Sequence, residues 1–131
     1  MVAMAVLVAF AGIARADVQV VKVGVEVKPS KANGDAWDKG LASSHKPDPK
    51  IEVWSDGKLV SGCEAVQDSL VAECALEHPV IGRVIVSLEL RVDDADLAID
   101  DTIGRAVGET SKPGRIDLTV EGQLVRAWAE V

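Results

Sequence analysis

Val84-Ile85-Val86-Ser87-Leu88-Glu89-Leu90-Arg91-Val92 is the stretch that decides the fold. Aliphatic side chains at 84, 86, 88, 90 and 92 alternate with Ile85, Ser87, Glu89 and Arg91. A period of two is what a strand with one buried face imposes. Working outward, the same period returns. Val18 and Val20 alternate, then Val21, Val23, Val25 and Val27 alternate in the opposite phase. That slip predicts a β-bulge or a strand whose halves face different neighbours. Ile51, Val53 and Trp54 precede Ser55-Asp56-Gly57-Lys58, whose Asp-Gly pair signals a tight hairpin into a strand from Leu59 to Cys63. Leu70, Ala72, Cys74 and Leu76 trace another strand. Ile116, Leu118 and Val120 form one more, and Glu121-Gly122 turns the chain into a last strand, Leu124–Val131. Short, evenly spaced strands with no long amphipathic helix predict an all-β antiparallel sandwich of about eight strands. Its core is built from branched aliphatics, with 21 valines in the chain.

Composition narrows the function. A chain of 131 residues allows one domain, and 48% hydrophobic residues are too many for a disordered one. Fourteen Lys and Arg against 21 Asp and Glu leave a net charge of −7, which argues against a nucleic-acid partner. Three tryptophans, one phenylalanine and no tyrosine make a sugar- or base-stacking cleft improbable. Trp54 and Trp128 are expected in the core or at a sheet edge, and Trp37 is expected to pin its loop.

Residues 1–14 are almost all apolar and are followed by Arg15, Ala16 and Asp17. The pattern is that of a secretory signal peptide, residues 1–16, cleaved at Ala14-Arg15-Ala16, although no Lys or Arg precedes the apolar run. A buried N-terminal strand or helix is the other reading. The run is too short for a transmembrane segment. The expectation is therefore a secreted or periplasmic single domain over 17–131. Export suits the two cysteines, Cys63 and Cys74, with the turn candidate Gln67-Asp68-Ser69 between them: two strands folded back there can form a disulfide. Two buried, reduced thiols are the alternative. His45 and His78 show no zinc-ligand spacing with them.

Two segments break the strand pattern, 28–49 and 93–101. Asp93, Asp94, Asp96, Asp100 and Asp101 fall within nine residues directly after the clearest strand. Such crowded carboxylates repel one another unless solvent or a cation offsets them, and calcium favours this ligand type. An EF-hand does not fit, because counting from Asp94 puts Ile99 where glycine is needed and Arg105 where the bidentate glutamate belongs. A solvated acidic turn is the plainer reading.

Asp94-Ala95-Asp96 followed by Asp100-Asp101-Thr102-Ile103-Gly104 resembles the third calcium loop of a C2 domain. Asn33-Gly34-Asp35-Ala36-Trp37-Asp38, with Lys46-Pro47-Asp48-Pro49-Lys50, is similar to the first loop of that family. The resemblance covers about 18–131 and is to an exported, bacterial-type variant. It implies an eight-stranded sandwich with its functional loops at one edge, binding Ca2+ through Asp38, Asp48, Asp94, Asp96 and Asp101, with Asp93 and Asp100 as adjacent alternates. It further implies calcium-dependent attachment to an anionic phospholipid surface or a protein partner, with Leu97-Ala98-Ile99 as the contacting tip. Lys50 stands where the family has an aromatic residue, the N-P-x-W motif is absent, and the first loop is unusually long. A basic sheet face for phosphoinositides is not expected, since its strands carry Glu52, Glu64 and Glu73. Catalysis has no motif to stand on: G-x-S-x-G is missing and the histidines lack a nucleophile partner, so a binding module is expected rather than an enzyme. An exported structural or protein-interaction sandwich is the alternative.

Overall fold

The computed structural model describes residues 17–31, 34, 37, 46–95 and 101–131, Asp101 as backbone only. The described chain is all-β, with strands β1 (Val18–Val27), β2 (Pro49–Ser55), β3 (Lys58–Cys63), β4 (Val71–Gly82), β5 (Val86–Asp94), β6 (Asp101–Thr110), β7 (Arg115–Gly122) and β8 (Leu124–Glu130). All neighbours are antiparallel, in the order β3-β2-β5-β6-β7-β8-β1-β4. The sheet folds over at β7, whose first half pairs with β8 and whose second half pairs with β6. A strand that changes partners midway makes the corner between two layers. Inward side chains of both layers meet in one core that includes Val20, Val23 and Val25 of β1 and Leu88, Leu90 and Val92 of β5.

The phase slip in β1 is a bulge. The register shifts between Val20 and Lys22, so Val18, Val20, Val23, Val25 and Val27 all point inward while Val21 is pushed out. On the partner strand, Pro79 sits in the matching irregularity of β4, an edge strand where a missing N–H costs least. The Asp56-Gly57 hairpin also forms as expected, with φ values of 51° and 76° at its two central residues.

Three expectations about the strands change. Val84 and Ile85 are not in the strand: β5 begins at Val86, and both side chains are exposed in the β4–β5 turn. Second, the acidic segment runs straight into a strand, β6, that the pattern did not announce. Its inward positions opposite β5 hold Gly104, Ala106 and Gly108, so no aliphatic period is visible. The two glycines are side-chain-free because the Glu121 carbonyl, with Leu124 behind it, occupies the space a Cβ on Gly104 would enter, and Leu118 occupies that of Gly108. Third, β3 and β4 are not a hairpin. They are the two free edges of the sheet, and the connection between them crosses from one layer to the other. Cys63 and Cys74 are disulfide-bonded, with a Cα–Cα distance of 6.3 Å. The bridge therefore ties together the edges that hydrogen bonds leave open.

Trp54 and Trp128 are not core residues; both lie on outer faces. Trp128 is buried nonetheless, lying over Gly24 of β1 with its Nε1–H donating to Glu73 Oε2 at 2.8 Å. The guanidinium of Arg115 lies 4.2 Å from the ring centroid and that of Arg126 lies 5.1 Å away. Trp54 carries Arg91 at 3.7 Å. Each such stack contributes about 0.5–1 kcal/mol and shields an apolar ring from water.

Two outcomes follow from this packing. Gly24→Ala drives a methyl group into the Trp128 ring and should destabilise the fold by about 1–3 kcal/mol in urea titration. Intact mass after alkylation should show no free thiol without reductant, and reduction should lower stability by about 2–3 kcal/mol.

Candidate functional site

By strand direction, the β1–β2, β3–β4, β5–β6 and β7–β8 connections gather at one end of the sandwich. That end holds the acidic segments. Asp48 sits between Pro47 and Pro49, both fully buried, so ring-locked φ angles on either side hold its backbone extended. Its N–H donates to Asp94 Oδ1 at 2.8 Å, and its carbonyl accepts the Ala95 N–H at 2.9 Å. Its own Oδ1 accepts the Asp68 N–H at 2.6 Å. Two further backbone bonds, Ser69 N–H to Pro47 O at 2.8 Å and Val66 N–H to Pro49 O at 3.0 Å, hold the β3–β4 connection against the same segment. One residue thus joins the bases of three connections.

The ladder register sets the remaining acids. Pro49 of β2 faces Asp94 of β5, and Asp94 faces Asp101 of β6. Lys50 faces Asp93, which faces Thr102. Of the residues expected in the site, Asp94 and Asp101 lie on adjoining strand ends and Asp48 directly precedes β2, with Asp94 buried and Asp93 partly exposed. Asp38, Asp96, Asp100 and the tip Leu97-Ala98-Ile99 lie outside the described residues. Among the described residues, no three Asp, Glu, His or Cys side chains converge as a metal group. Asp48 and Asp94 are carboxylates, the ligand type a hard divalent cation takes, and each already accepts a backbone amide through its Oδ1. Trp37 pins the first loop as expected, buried in the core with its Nε1–H donating to Lys28 O at 2.7 Å.

Beside the acidic end, the outer face of β2-β5-β6-β7 forms a wide concavity of about 1190 Å³, with Trp37, Arg91, Asp93, Arg105 and Glu121 among its walls. Arg91 and Arg105 face each other across the β5–β6 ladder, an arrangement that would repel if left bare. Glu89 bridges them, with Oε2 at 2.9 Å from Arg91 Nε and 3.6 Å from Arg105, and Arg105 also bonds Glu121 at 2.7 Å. The hydrogen bond from Arg91, reinforced by the charges of both arginines, holds the Glu89 carboxyl below its usual range against the opposing effect of burial. Such a carboxylate adds stability above its unfolded pKa and gives it up as pH falls through the folded value. These arginines were not singled out by the sequence. For Glu89 and Arg91 the signal was available in the alternation, which puts both on outward positions; Arg105, on the unannounced β6, had none.

A crystal structure of a C2 domain protein from Ramazzottius varieornatus is similar to this chain, with a TM-score of 0.51 at 14% identity, covering 88% of this chain and 90% of that one. The fold is C2-like. At that identity the likeness concerns architecture alone. No family model matches the chain, and no curated protein matches it in sequence. Within the C2-like frame, the β1–β2 and β5–β6 connections that resembled calcium loops emerge side by side, tied by Asp48 and Asp94.

The tie has a structural role separable from metal binding. In EDTA, Asp94→Ala strips the Asp48 amide of a charged acceptor and should cost about 1.5–3 kcal/mol in urea titration, whereas Asp94→Asn keeps an acceptor oxygen and should cost clearly less.

Proposed function

We propose that the chain is an exported calcium-binding module that attaches to an anionic phospholipid surface, or to another anionic ligand, through loops 35–48 and 93–101. The observation that carries this reading is the pairing of Asp94 with Pro49 and Asp101 across the strand ends, with Asp48, directly before Pro49, donating its N–H to Asp94 Oδ1. Asp48 and Asp94, with Asp38, Asp96 and Asp101, would hold the cation; Asp93 and Asp100 are the alternates. Bound calcium supplies positive charge that offsets the crowded carboxylates and draws anionic oxygens. The chain's own contribution is positional. Asp48 fixes the loop bases to one another, and Leu97-Ala98-Ile99 is the apolar tip that such neutralisation would let approach an interface. The Cys63–Cys74 bridge is consistent with an oxidising compartment. In this reading the module binds and does not catalyse.

A second reading has an observation of its own. One oxygen of Asp48 and one of Asp94 each accept a backbone amide, so both carboxylates have a scaffolding role that needs no metal. That suits an exported structural or protein-interaction sandwich with solvated acidic loops.

Melting in EDTA, millimolar magnesium and millimolar calcium separates the two. A site with a dissociation constant near ~0.1 mM, saturated at ~1 mM calcium, adds about 1.4 kcal/mol, a rise on the order of 5 °C for a domain of this size. A calcium-specific rise that Asp94→Asn/Asp96→Asn abolishes supports the module. Equal melting in all three conditions supports the scaffold.

A further inference from the structure

The Cys63–Cys74 bridge lies directly beneath the acidic end. Cys63 is the last residue of β3 and Cys74 the fourth of β4, so the bridge closes the connection 64–70 at its base. That same connection holds the Asp48 segment. Val66 N–H donates to Pro49 O at 3.0 Å, Asp68 N–H to Asp48 Oδ1 at 2.6 Å and Ser69 N–H to Pro47 O at 2.8 Å. All three donors lie between the two cysteines, and all three acceptors lie on residues 47–49.

The two ends of the connection are held unequally. Its far end enters the β1–β4 ladder, from the Val27 N–H to Leu70 O bond onward. Its near end hangs from β3, a free edge paired to β2 alone, none of whose side chains is fully buried. Within 64–70 only Val66 packs against the core. A cross-link removes conformations from the segment it closes, and opening it returns them to that segment. Hydrogen bonds made by a loosely packed segment are the first a domain gives up, while its central strands stay protected. The bridge is also within reach of a thiol: both cysteines are half-buried, and Cys63 is among the walls of an open hollow of about 450 Å³ beside Leu59 and Val60.

We propose that the Cys63–Cys74 bridge is a redox latch on the acidic end: closed, it holds the connection 64–70 against Asp48, and opened by a dithiol, it releases that connection while the sandwich stays folded. One thiolate of the dithiol attacks a sulfur of the bridge, giving a mixed disulfide and one cysteine thiolate; the second thiol of the reductant then expels the other cysteine. The dithiol leaves as a disulfide, oxidised by two electrons, and Cys63 and Cys74 take up two electrons and two protons as thiols. A weaker hold on calcium in the opened state rests on the calcium reading above; the release of the connection does not.

The test follows amide hydrogen exchange in the full chain, in EDTA, when oxidised, after reduction with dithiothreitol and after reoxidation. Reduction should speed exchange at Val66, Asp68 and Ser69 by about tenfold or more and leave the amides of β5 protected, and reoxidation should reverse the change. Cys63→Ser/Cys74→Ser should exchange at the fast rate with or without dithiothreitol, which ties the effect to the bridge. Unchanged exchange at the three amides overturns the latch. Loss of protection throughout β5 overturns it too, making the bridge a staple of the whole fold. Calorimetric titration with calcium reads the dependent step: the reduced protein should bind about fivefold or more weakly than the oxidised. Equal affinity in the two states overturns control of the cation by the latch. No calcium uptake by the oxidised protein overturns the calcium reading instead, and the exchange result alone then decides the latch.

Discussion

Asp48 is the residue on which the acidic end depends. Its N–H, its carbonyl and one carboxylate oxygen each bond a different partner, Asp94, Ala95 and Asp68. Flanking prolines remove the backbone freedom that would otherwise oppose such an arrangement. The consequence is geometric: three connections that are far apart in sequence leave the sheet from one point. Asp94 is buried and paired across the ladder with both Pro49 and Asp101, so the base of this end is set by strand pairing.

The two outer faces show how a small sandwich with few aromatic residues can make each one count. Trp54 and Trp128 lie outside the core, each under arginine. Trp128 is buried by charged side chains and by the missing side chain of Gly24, not by the opposite layer. Neighbouring ion pairs, Lys22 with Glu73 and Glu130, and Arg126 with Glu26, complete the same surface. Exposed pairs of this kind contribute little stability singly. Their effect here is to offset opposite charges locally on the outer face beside Trp128.

Much of this was legible in the chain. Strict alternation in 86–92 and in β1 announced strands, and even the bulge was visible as a phase slip between Val20 and Val21. Asp56-Gly57 named its own turn, because few residues tolerate the positive φ values a tight hairpin demands. β6 was hidden for the opposite reason. Apart from Ile103, its positions facing β5 hold only Gly104, Ala106 and Gly108, so bulk at every second residue is missing and part of the space is taken by Leu118 and Leu124 on other strands. Val84 misled because alternation says nothing about where a strand starts; its period continued through a turn. The tryptophans misled because hydrophobicity alone does not separate a core ring from one capped by guanidinium groups.

The sequence by itself determined most of the strands, the β class, the resemblance to a C2 domain and the cluster of carboxylates. These depend on local period and local composition, and both are properties of a short window. Which layer each strand joins, that Cys63 and Cys74 clasp the sheet's two free edges, and that Asp48 meets Asp94 across 46 residues were decided only in three dimensions. Long-range pairing is chosen by the total burial of two facing layers, and no window of the chain contains both partners. The gathering of the acidic connections at one end belongs to the same class: it exists only once antiparallel strands have sorted alternate connections to opposite ends.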